Sequence, residues 1–75
     1  MIKQFIRIKT REDVEEKLVE LGLFKVGRKI TDYEMVHLCS PPGFILSGSI
    51  EGEEKQCYAV NWDFDMCILY IRSLA

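Results

Sequence analysis

Six consecutive residues, Met66-Cys67-Ile68-Leu69-Tyr70-Ile71, are all apolar. A β-strand built from such a run has two faces that avoid water, because successive side chains point to opposite sides. The rest of the 75-residue chain offers one credible helix. One helix can cover one face of a sheet. The second face then needs a curled sheet, a closed barrel or another copy of the protein. This bears on architecture and assembly rather than on chemistry.

A chain of this size makes one domain and buries only about 60% of its unfolded surface, so its stability is marginal and a staple of some kind is expected. Hydrophobic residues make up 48% of the chain and charged ones 29%, which fits a folded globule and not a disordered tail. No stretch approaches the roughly 18 apolar residues of a membrane span. Residues 1–5, Met-Ile-Lys-Gln-Phe, carry neither a long apolar core nor a small-residue cleavage site. The expectation is a cytoplasmic protein with no membrane partner. The three cysteines, an odd number, argue against a disulfide framework and for free thiols.

Along the chain, Ile2, Ile6 and Ile8 alternate with Lys3, Phe5, Arg7 and Lys9. This predicts a strand with the isoleucines inward and a mostly basic outer face. Thr10 reads as an N-cap, with Glu12 and Asp13 in the first turn, where the helix dipole favours acids. Val14, Leu18 and Leu21, with Val19 beside them, form one stripe of a helix of about 11 residues ending at Gly22. Residues 23–30 form a connector. Residues 31–39 alternate weakly as a strand, and Ser40-Pro41-Pro42-Gly43 marks a loop. A strand follows over 44–50 with Phe44, Leu46 and Ile50 inward. Gly48 in it points to a bulge or a close backbone approach. After a hairpin turn at 51–54, a strand over 55–62 sets Tyr58, Val60 and Trp62 on one face. Asp63-Phe64-Asp65 then turns the chain into the final strand, over 66–71. The predicted fold is α+β, in the order β-α-β-β-β-β. One helix covers a curled antiparallel meander sheet, which a small barrel would also satisfy.

The segments Phe24-Lys25-Val26-Gly27-Arg28-Lys29-Ile30, Pro42-Gly43-Phe44-Ile45 and Tyr58-Ala59-Val60-Asn61-Trp62-Asp63 together resemble the cadence of small Tudor- or KOW-like β-barrels. A strand follows a glycine, proline-glycine precedes the next strand, and an aromatic strand ends in Trp-Asp. The resemblance covers about half the chain. It implies a small barrel that binds peptides or nucleic acids and is rarely catalytic, and it assigns no particular residue a role. The leading strand and helix lie outside the pattern.

No constellation for catalysis stands out. His37 and Cys39 share a strand face and, with Cys57 and Cys67, make up a Cys3His set, but the short Cys-x-x-Cys spacing of structural zinc sites is missing. Core packing is the simpler role for the cysteines. Paired with His37, Cys39 or Cys57 would be a nucleophile with nothing to mark an oxyanion hole. Asp63 and Asp65, with Asp32 and Glu34, are too few oxygens for calcium, and turn chemistry explains the pair in Asp63-Phe64-Asp65. No phosphate-binding glycine loop is present. No metal or cofactor is therefore expected, and the chain is expected not to be an enzyme.

The aromatics Tyr33, Tyr58, Trp62, Phe64 and Tyr70 are the candidates for contact with a partner, since Trp and Tyr dominate interface hot spots. Phe64, flanked by two aspartates in a turn, has the strongest case for exposure. Tyr58 and Trp62 fit core packing better. The expected protein-binding set is Phe64, Trp62, Asp63, Asp65 and Tyr33. It would serve a non-enzymatic interaction module: a subunit, adaptor or inhibitor of a larger machine, open to homodimerisation and to strand addition at a sheet edge.

The alternative is nucleic-acid binding through Lys3, Phe5, Arg7, Lys9, Lys25, Arg28 and Lys29, where cations would contact phosphates and Phe5 would stack a base. The net charge of −2 and the isoelectric point near 5.3 weigh against it. So does the distribution of charge. Residues 12–21 carry five acids against Lys17 alone, and residues 32–75 carry seven acids against Lys55 and Arg72.

Overall fold

The computed structural model describes residues 2–30, 43–50 and 52–74. They form strand β1 (Ile2–Ile6), helix α1 (Arg11–Glu20) and strands β2 (Gly43–Gly48), β3 (Gln56–Asp63) and β4 (Ile68–Ser73). The four strands make one antiparallel sheet in the order β1-β4-β3-β2. This is an α+β fold. β2, β3 and β4 are a meander, as the short turns predict. β1 pairs with the last strand, so the two ends of the described chain lie side by side. Among the described residues the sheet is open, with β1 and β2 as its edges. It does not close into the barrel that the Tudor- or KOW-like cadence implies. The strand expected over 31–39 lies outside the described residues, as does the proline loop after it.

Local chemistry accounts for α1. The Thr10 hydroxyl accepts from the Asp13 amide at 3.2 Å, and the Asp13 carboxylate accepts from the Thr10 amide at 3.1 Å, a capping box. The same carboxylate oxygen accepts from the Lys9 amide at 2.9 Å. These bonds favour the ionised form and hold the Asp13 pKa below its ordinary 3.8, with the Lys9 amide as the main cause. At the other end Leu21 is the C-cap, and Gly22 takes φ +85° just beyond it. The Leu23 amide bonds the Leu18 carbonyl at 2.9 Å and the Gly22 amide bonds the Val19 carbonyl at 3.0 Å. That is a Schellman motif, which needs a left-handed residue where glycine sits.

The core lies between α1, its following connector and one face of the sheet. Val14 and Leu18 of α1 are completely buried, as the stripe predicts, with Val19 and Leu21 half-buried. From the sheet come Phe44, Tyr58, Val60, Trp62, Leu69 and Ile71. The connector contributes more than its punctuation suggests: Leu23, Phe24 and Ile30 are all buried. Phe24 meets Phe44 at 5.9 Å between ring centroids, and Phe44 meets the edge of Trp62 at the same distance. The Ile30 amide is anchored by the Glu15 carboxylate of α1. At Gly48 it is a side chain rather than backbone that comes close, since a Cβ there would lie 2.9 Å from the end of the Leu23 side chain.

Two predicted details are corrected. First, the faces of β1 are reversed. Phe5 packs against the core and shares its face with Lys3, while Ile6 is 71% exposed. Ile8 is nevertheless buried, because Arg7 adopts φ +67° and a left-handed residue breaks the period-two alternation. The Ile8 amide then bonds the Cys67 carbonyl at 3.1 Å. Second, the apolar run at 66–71 is not one strand. Met66 and Cys67 belong to the β3–β4 turn, and the strand starts at Ile68. Cys67, at φ +57°, ends the turn.

Candidate functional site

The β3–β4 turn is built by its own sequence. One carboxylate oxygen of Asp63 accepts from the Asp65 amide at 3.0 Å and the Met66 amide at 3.1 Å. This is the aspartate turn chemistry the sequence points to. The ring of Phe64 stacks on Trp62 at 6.1 Å with a 25° tilt, so it is half-buried rather than fully presented. Asp65 is exposed, and Met66 is 65% exposed at the turn. The Cys67 thiol donates to the Phe64 carbonyl at 3.5 Å.

This turn adjoins the end of β1. Ile6 pairs with Ile68, and Ile68 pairs with Asp63. Two large exposed apolar residues, Ile6 and Met66, therefore sit at the same end of the sheet. The only two described non-glycine residues with positive φ, Arg7 and Cys67, are there as well. A left-handed non-glycine backbone persists only where its surroundings hold it. Here the Ile8–Cys67 hydrogen bond and the Asp63 turn supply that hold.

On the sheet face away from α1, three cross-strand rows follow from the register. They are Ile6–Ile68–Asp63, then Gln4–Tyr70–Asn61–Gly43, then Arg72–Ala59–Ile45. Ile45 is 54% exposed, Tyr70 is half-buried, and Ala59 is buried between its larger neighbours. The only described charges in these rows are Asp63 and Arg72.

The sequence candidates divide as follows. Asp63, Phe64 and Asp65 come together at the turn. Trp62 is 0% exposed and belongs to the core, as does Tyr58. The Trp62 indole N–H and the Tyr58 hydroxyl have no hydrogen-bond partner among the described residues. Tyr33 lies outside the described residues, with Asp32, Glu34, His37 and Cys39. Ile6 and Met66 were missed by sequence reasoning, since both fall in patterns that read as buried strand.

The basic set is carried by three separate segments. Lys3 and Phe5 are on the helix side of β1, where Lys17 lies 5.0 Å over the Phe5 ring. Arg7 and Lys9 are in the β1–α1 loop. Lys25, Arg28 and Lys29 are in the connector, where Arg28 lies 4.5 Å over Phe24. Arg28 and Lys29 border an open recess whose other side carries Glu12, Glu15 and Glu16, so acids balance this part of the set.

Cys57 is exposed, which corrects its expected core role, and Cys67 is half-buried. They sit beyond opposite ends of the 58–63 stretch of β3, about 20 Å of strand at roughly 3.3 Å per residue. A single zinc ion would not bridge both. No group of three or more potential metal ligands occurs among the described residues. No helix among them is long and apolar enough to cross a membrane. Neither family models, curated proteins nor solved structures gave a match to this chain.

Proposed function

We propose that this chain is a non-enzymatic protein-interaction module of the cytoplasm, a small subunit, adaptor or inhibitor. It docks through the end of the sheet where edge strand β1 meets the β3–β4 turn. The observation that carries this reading is the placement of Ile6 and Met66, 71% and 65% exposed, on backbone held by hydrogen bonds. A rigid apolar contact costs little ordering entropy on binding, so exposed side chains on such a frame suit recognition. Half-buried Phe64, backed by Trp62, adds a firm aromatic surface beside them. Asp63, Asp65 and Arg7 supply a polar rim. The exposed thiol of Cys57 fits a reducing compartment.

The test compares wild type with the double variant Ile6→Lys, Met66→Lys as bait in native lysate treated with nuclease. Partners bound by wild type are expected to be lost with the variant. An identical set of captured proteins would move the docking surface elsewhere. Retention on a polynucleotide column that falls steeply with salt would instead favour the nucleic-acid reading.

A further inference from the structure

We draw no further inference here: the strongest candidate, the open recess between α1 and the connector after it, bordered by Glu12 and Glu16 on one side and Arg28 and Lys29 on the other, carries nothing because none of the charged side chains lining it is buried and nothing in the structure points to a ligand that would fill it.

Discussion

The two faces of the sheet are made from the same four strands and differ in almost everything else. On the face toward α1, Val60, Trp62, Leu69 and Ile71 are at most 1% exposed. On the other face Ile6 and Ile45 stand more than half exposed. The first face is where burial stabilises the fold. The second, with the turn at its end, has apolar residues that the described fold does not use. A side chain can therefore be large and apolar in both places and have opposite roles. Substitution should separate them, with large stability effects on one face and binding effects on the other.

The largest stability effect is expected at Trp62. Trp62→Ala removes the ring that Phe44 and Phe64 both contact, and should cost about 3–5 kcal/mol, measured by urea unfolding. In a domain this small that is enough to unfold most of the population. Leu18→Ala, on the helix side of the same core, should cost about 2–5 kcal/mol by the same measurement. If either loss were below 1 kcal/mol, the contrast between the faces would be wrong.

Smaller effects should come from the ends of α1. Thr10→Ala should cost about 1 kcal/mol by removing one half of the capping box. Gly22→Ala should cost about the same, because alanine at φ +85° is strained and its Cβ would press on the Ser49 carbonyl at 3.3 Å. The cap also predicts a pH dependence. Asp13 titrates below 3.8 in the folded chain, so its contribution is complete well above that pH. It is lost as the pH falls through 3.8 and below the lowered native value. Unfolding curves of wild type and Asp13→Asn should therefore converge in acid.

The smallest change in stability is expected on the open face. Ile6→Lys and Met66→Lys should each move it by no more than about 0.5 kcal/mol, while the double variant, on the docking reading proposed above, loses the captured partners. A large loss of stability in either would mean that these residues are part of the core.

Much of the helix side was legible. Thr10, the acids after it, the stripe at Val14 and Leu18, and Gly22 are local signals, and a helix depends on local signals. The alternation of Tyr58, Val60 and Trp62 was equally clear, because a half-buried central strand imposes a period of two. The Asp63-Phe64-Asp65 turn was read from aspartate chemistry that acts within three residues. β1 failed because alternation assigns a face only if it is unbroken. The left-handed Arg7 shifts Ile8 to the opposite face from the one its parity assigns. The run at 66–71 failed because hydrophobicity does not distinguish a turn from a strand when the turn is fixed by a neighbouring carboxylate.

The sequence by itself determined the helix with its caps, the central strand's buried face and the position of the last turn. All of these follow from interactions within a few residues. Only the tertiary structure decided that β1 lies against β4, which of its faces meets the core, and that Ile6 and Met66 emerge at one end of the sheet. Those depend on pairing between residues more than 60 positions apart, as in Ile6 with Ile68, and on which elements were left to cover each face. No local pattern carries that information.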